Sequence, residues 1–237
     1  MCSRHRRRYE SDARRFPGPH ARDEERTGLT SQKNGLQIVI DWDGTVTERD
    51  TLMLTLRHFV EPAVLEPLEA ELDAALADAT ITHREVMERE FATLTASLDE
   101  VVAFLLERAC VRPGFAEFVE RFDPLILSSS FYETIEPVLS REGVVARLRA
   151  NHAEPSADGW RIRWVSDSEC ATCGEPCKRA SLPDGPFVYV GDGYSDRCAA
   201  LAAERVFARD ALSVYLEGQG IAFEPFVDFR SLISALS

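Results

Sequence analysis

Leu36-Gln37-Ile38-Val39-Ile40-Asp41-Trp42-Asp43-Gly44-Thr45-Val46-Thr47 is the stretch that decides the reading of this chain. Leu36 to Ile40 form a short apolar run, the pattern of a buried strand. The run stops on a carboxylate. A second carboxylate follows two positions later, ahead of a glycine that lets the chain turn. Residues i and i+2 of an extended segment point the same way, although a loop opening at Gly44 can redirect Asp43. In open parallel sheets, ligands bind outside the carboxyl ends of the strands. Two carboxylates crowded there repel each other unless one is protonated or a cation lies between them. Oxygen donors with no histidine beside them suit Mg²⁺.

Working outward, Pro124–Leu127, Phe187–Val190 and Arg205–Ala208 read as further buried strands, each ahead of a polar or glycine-bearing turn. Helical patterns separate them. That alternation predicts an α/β fold, a Rossmann-like parallel sheet with helices on both faces. Residues 51–109 carry no strand signal. Thr82-x-x-Glu85 and Ser97-x-x-Glu100 read as capping boxes that open helices, so this region is expected to be a helical cap inserted after the first strand. The sheet-bearing core is then 35–50 and 110–237. Ser130-x-x-Glu133 is expected to open another helix. Val144–Ala150 and Trp160–Val165 flank Asp158-Gly159 and read as a small β-hairpin.

Charge is unevenly spread over the 237 residues. The formal net charge is −13, but residues 1–34 carry nine basic and five acidic side chains. With Pro17, Gly18 and Pro19 and almost no apolar periodicity, 1–34 is expected to be a disordered basic tail without the apolar core of a secretory signal. The remaining body is strongly acidic, which repels nucleic acid and anionic lipid. No stretch approaches the ~18 apolar residues of a membrane span. The expectation is a cytoplasmic protein with no nucleic-acid or membrane partner. Its oligomeric state is open.

An anionic substrate then needs a local positive site. Lys33 and Lys178 are the only lysines, every other basic residue being arginine. Lys178 therefore invites a chemical reason, since lysine is a compact point charge where arginine is a planar fork. Gly191-Asp192-Gly193-Tyr194-Ser195-Asp196 follows the Phe187–Val190 strand and brings two more carboxylates to a strand end. Ser128 ends the Pro124–Leu127 strand, where a hydroxyl and free helix-start N–H groups can hold an anion.

These pieces, in this order, resemble the haloacid dehalogenase-like (HAD) hydrolase superfamily over roughly residues 36–230. The helical insertion resembles the cap of its phosphoserine phosphatase-type branch. A finer resemblance is to the methionine-salvage phosphatases. It rests on Asp50, Arg112-x-Gly114-Phe115, Asn151-His152-Ala153, Cys173 to Lys178, and Phe207-Ala208-Arg209-Asp210. Ser129-Ser130 departs from that pattern, which has Gly-Gly. The resemblance implies a phosphomonoester hydrolase acting on a small phosphorylated metabolite. It implies Asp41 as nucleophile, Asp43 as general acid and base, and Mg²⁺ held by Asp41, Asp43 (through its carbonyl), Asp192 and Asp196. Gly44, Ser128, Ser129 and Lys178 would contact the phosphate. Asp50 would either touch substrate or cap the helix beginning near Thr51. The alternatives are a phosphoserine phosphatase, which shares these residues, and a non-catalytic phospho-ligand sensor.

Cys170-x-x-Cys173-x-x-x-Cys177 remains. Three thiols fall short of the four ligands of a structural zinc site, and His152 is the candidate fourth. Reduced loop cysteines or a regulatory thiol are the other readings.

Overall fold

The computed structural model describes residues 37–237, so the expected tail lies outside the described residues. After β1 (Gln37–Ile40) come four helices with no strand among them: α1 (Thr51–Phe59), α2 (Pro62–Ala77), α3 (His83–Phe91) and α4 (Leu98–Arg108). Then follow α5 (Phe115–Phe122), β2 (Leu125–Phe131), α6 (Tyr132–Arg141), β3 (Arg147–Glu154) and β4 (Arg161–Arg163). The chain ends with β5 (Phe187–Gly191), α7 (Arg197–Ala200), β6 (Arg205–Ala208), α8 (Asp210–Gly218), β7 (Glu224–Pro225) and α9 (Phe229–Leu236).

One seven-stranded sheet runs β4-β3-β2-β1-β5-β6-β7. All its pairs are parallel except β3 with β4. β1 lies in the middle, with Val39 opposite Leu125 of β2 and Ile40 opposite Val190 of β5. Strand side chains alternate between faces, and both faces here are apolar. Ile38, Ile40, Val188 and Val190 pack with Phe115, Phe118 and Phe229 on one side. Val39, Phe187 and Tyr189 pack with Ala199, Leu212 and Leu216 on the other. This is the doubly covered sheet expected from the strand and helix alternation.

Both predicted capping boxes in the insertion form, Thr82 with Glu85 and Ser97 with Glu100. The four helices have no core of their own. Leu56, Leu65, Phe91 and Val101 belong to the same apolar cluster as Ile38 and Phe118. α4 lies along α6, where Arg141 donates to the carbonyls of Leu106 and Ala109 at 2.8 Å each. α3 docks on the β3–β4 connection through Trp160. That residue is buried against Phe91 and Phe131, and its indole N–H donates to the Ala96 carbonyl at 2.7 Å. Gly159, at φ +115°, passes so close that a Cβ there would lie 2.0 Å from the Ala92 carbonyl oxygen.

Two local expectations need correction, and one strand is added to those expected. Ser130 does not cap α6. β2 runs on to Phe131, which pairs with Asn151, so the backbone at Ser130 stays extended in the sheet. Glu133 instead accepts from the Ala153 N–H at 2.9 Å and contacts His152 Nδ1 at 2.7 Å. The hairpin arm is also not Val144–Ala150. β3 runs from Arg147 to Glu154 and pairs with both β2 and β4, so the turn spans residues 155–160 rather than two residues at Asp158-Gly159. Finally, β7 was not foreseen. It is two residues long and holds Pro225, which only an edge strand tolerates.

Candidate active site

Asp41 follows the tip of β1, and Asp192 follows the tip of the adjacent β5. Carboxylate oxygens of Asp41, Asp192 and Asp196 all lie within 4.8 Å of one another. Asp41 is 5%, Asp196 0% and Lys178 6% exposed, so these charges are buried and must answer one another. Lys178 Nζ donates to Asp41 Oδ1 and to Asp196 Oδ1, the latter at 2.6 Å.

Asp196 is fully subscribed. Its Oδ1 also accepts from the Tyr189 hydroxyl at 2.6 Å, and its Oδ2 accepts from the N–H groups of Asp192 and Gly193, both at 2.9 Å. It therefore anchors Lys178 and the Asp192 loop at once. Asp192 is freer. It is partly exposed, and its Oδ1 accepts from the Thr45 hydroxyl at 2.7 Å. The chain at Gly44, φ +72°, approaches it closely enough that a Cβ would sit 2.2 Å from Asp192 Oδ2. Only glycine fits there.

Three carboxylates face one ammonium. Burial pushes the Asp41 carboxyl well up, as do Asp196 and Asp192, against the pull of Lys178. Burial and Asp196 push Asp192 up to about 7. Asp196 stays low despite burial, because Lys178 and its hydrogen-bond donors hold it ionised. The cluster thus carries more negative charge than its lysine neutralises, and its open donors are all oxygen. That chemistry fits a hard divalent cation such as Mg²⁺.

Asp43 sits apart from this group. Trp42 turns into the core against Phe115, and its carbonyl accepts from the Val46 and Thr47 N–H groups, which closes a turn. Asp43 Oδ1 consequently meets Thr51, accepting from its N–H at 2.7 Å and from its hydroxyl. Burial raises the Asp43 carboxyl well above the ordinary range, helped by the charges of Asp50 and Asp41. Asp43 is thereby suited to carry a proton. Asp50 is exposed and caps α1, accepting from the Met53 N–H at 2.9 Å. Arg112 pins the turn from below, donating to the carbonyls of Gly44 at 2.8 Å and Thr45 at 3.0 Å.

Ser128 and Ser129 lie where the β2–β3 register shifts between Leu127 and Phe131. The irregularity delivers them, with Lys178, to a cavity of about 230 Å³ that lies beside the carboxylates, Asp41, Asp43, Asp192 and Asp196 not being part of its wall. Asn151 supports that bend, donating to the Ser129 carbonyl at 2.7 Å. The cavity wall also contains His83, Arg84, Trp164 and Tyr194, to which the sequence assigns no site role. His83 stacks on Tyr194, and Arg84 lies 4.6 Å over the Trp164 ring. The one early signal was the capping box at Thr82, which fixes where His83 and Arg84 begin their helix. Burial, with the nearby Lys178 charge, lowers His83 to about 4. His152, the expected companion of the cysteines, is elsewhere: it contacts Glu133 and stacks on Tyr132.

Residues 38–201 match the sequence profile of the haloacid dehalogenase-like hydrolases. The chain belongs to that family. It is a HAD-type hydrolase of phosphoric monoesters. Two relatives are both named 2-hydroxy-3-keto-5-methylthiopentenyl-1-phosphate phosphatase. The one from Geobacillus kaustophilus is 34% identical over 216 residues, 85% of this hydrolase and 95% of the relative. The one from Exiguobacterium sibiricum is 27% identical over 214 residues, 85% and 96% of the two chains. Among solved structures, a phosphoserine phosphohydrolase-like protein from Francisella tularensis superposes with a TM-score of 0.61. It covers 85% of the hydrolase and 100% of that chain at 19% identity, which shows a shared fold. No helix among the described residues is long and apolar enough to cross a membrane.

Proposed function

We propose that this hydrolase is Mg²⁺-dependent, works through an aspartyl-phosphate on Asp41, and takes 2-hydroxy-3-keto-5-methylthiopentenyl-1-phosphate as substrate. The observation that carries the reading is the pairing of Asp41 with Asp192 at adjacent strand tips, with one lysine set against three carboxylates. The substrate comes from the relatives that match along 85% of the chain.

Mg²⁺ would be held by the Asp41 and Asp192 carboxylates and the Asp43 carbonyl, and would neutralise charge between nucleophile and phosphate. Asp196 supports it indirectly, by fixing Lys178 and the loop of Asp192. An oxygen of Asp41 attacks phosphorus, and the ester P–O bond breaks. Asp43, whose carboxyl is pushed up by burial, gives its proton to the departing alkoxide. Water then attacks the aspartyl-phosphate and loses its proton to Asp43, and inorganic phosphate leaves with the Asp41 carboxylate restored. Lys178, Ser128, Ser129 and backbone N–H groups near Gly44 hold the nonbridging oxygens. Residues 51–109 act as the cap, and His83, Arg84 and Trp164 face the organic part of the substrate.

Steady-state kinetics on the methylthiopentenyl phosphate, phosphoserine and p-nitrophenyl phosphate, each with Mg²⁺ and with EDTA, test this. The expected result is kcat/KM at least about 100-fold higher for the first than for phosphoserine, with turnover lost in EDTA. Equal or reversed preference would overturn the substrate. Full turnover in EDTA would overturn the metal.

A further inference from the structure

Beside the catalytic cluster lies a second group of ligands with a different chemistry. The Sγ atoms of Cys170, Cys173, Cys177 and Cys198 lie within 4.8 Å of one another, and none is in a disulfide. The fourth thiol comes from α7, 21 residues beyond Cys177 in the numbering, so sequence spacing alone could not supply it. A tetrahedral Zn–S₄ centre has Zn–S bonds of about 2.3 Å and hence S···S edges of about 3.8 Å. Four sulfurs at this separation can close on one ion by small rotations about χ1.

The backbone is already shaped for it. The Glu169 and Pro176 bridge closes a tight loop, the Cys170 N–H donates to the Glu175 carbonyl at 3.1 Å, and the Gly174 N–H donates to the Cys170 carbonyl at 2.8 Å. Gly174 takes φ +79° immediately after Cys173. The Thr172 N–H points at Cys170 Sγ at 3.4 Å. Backbone donors aimed at a sulfur stabilise a thiolate and orient it as a ligand.

Two further observations point to an ion. Cys170 is the sole buried residue of 165–177, so this loop has no apolar anchor that would explain its order. Arg197, next to Cys198 and in the same cavity wall, has a buried Nε without a hydrogen-bond partner, its guanidinium lying over Tyr194 and Tyr215. A four-thiolate zinc centre carries a net charge of −2, and an adjacent guanidinium would offset part of it.

We propose that Cys170, Cys173, Cys177 and Cys198 bind a structural Zn²⁺, separate from the oxygen site, that staples the 166–177 loop to α7. Through Cys177 the staple ends on Lys178, and through Cys198 on the helix that follows Asp196. Metal content decides the matter without reference to turnover. The full chain is purified under reducing conditions without a metal-affinity tag or chelator, and zinc is measured by plasma mass spectrometry. Wild type and Cys110→Ser should hold about one zinc per chain. Cys198→Ser and Cys173→Ser, the latter at an exposed position that tolerates change, should lose it about tenfold or more with circular dichroism unchanged. Replacement by Co²⁺ should give thiolate-to-cobalt charge transfer and the intense visible bands of a tetrahedral centre. Wild type that is free of zinc with all six of its thiols titratable, zinc that survives both loop and helix variants, or octahedral cobalt spectra would each overturn the proposal.

Discussion

The strand-tip cluster and the helical layer that covers it are held by opposite forces. At the strand tips, Asp41, Lys178 and Asp196 are buried charges, each bound to the next. Burying ions is costly, and even a good buried ion pair returns little net stability. Over the site, α3 and the β3–β4 connection meet through Phe91, Phe131 and Trp160. Apolar burial of that kind is the dominant favourable term in folding. The difference teaches that stability and chemistry reside in different residues, so substitutions should separate them.

The sharpest separation is Asp41→Asn. It should abolish turnover by more than about 10⁴-fold, the scale on which a lost nucleophile acts, while relieving like-charge crowding with Asp192 and Asp196. Thermal unfolding should move by no more than ~2–4 °C. Near-wild-type turnover, or a collapsed fold, would break the comparison. Trp160→Ala should do the reverse. Its loss should cost about 3–5 kcal/mol in denaturant unfolding, whereas Asp41→Asn should cost nearly none.

Smaller effects sharpen the picture at the boundary. His83→Ala and Arg84→Ala remove α3 side chains from the cavity wall, so KM should rise roughly tenfold while kcat is largely kept, the pattern of lost uniform binding. A fall in kcat alone would move these residues into the chemistry. Glu90 gives the smallest test. Burial, with Glu69, Asp50 and Asp73 close by, pushes its carboxyl from 4.5 up to about 7. A raised folded pKa means that the folded state holds a proton the unfolded chain releases. The stabilisation is present below about 4.5 and is lost as pH rises through 7. Glu90→Gln should therefore raise Tm at pH 8 by ~2–4 °C and change it little at pH 4. An equal gain at both values would assign the effect to packing.

Much of the strand-tip site was legible because its signals are local. Ile38–Val39–Ile40 ends directly on Asp41, Phe187–Val190 ends on Gly191-Asp192, and the chain spends a lysine at 178 where arginine is the rule. Legibility failed where a contact is distant in sequence. Cys198 joins Cys170 only because β5 and α7 return the chain to that edge, and His152 was chosen in its place from proximity along the chain. The Ser130-x-x-Glu133 box looked like a helix start, but sheet pairing at Phe131 overrode the local preference. His83 gave no pattern of its own, since its partner Tyr194 lies on another element.

The most direct measurement is to quench turnover of radiolabelled substrate in acid under Mg²⁺ and map the labelled peptide. The account predicts a hydroxylamine-sensitive phosphoryl group on Asp41 that is missing in Asp41→Asn and in EDTA. Label on any other residue, or rapid hydrolysis with no trapped label on Asp41, would contradict it.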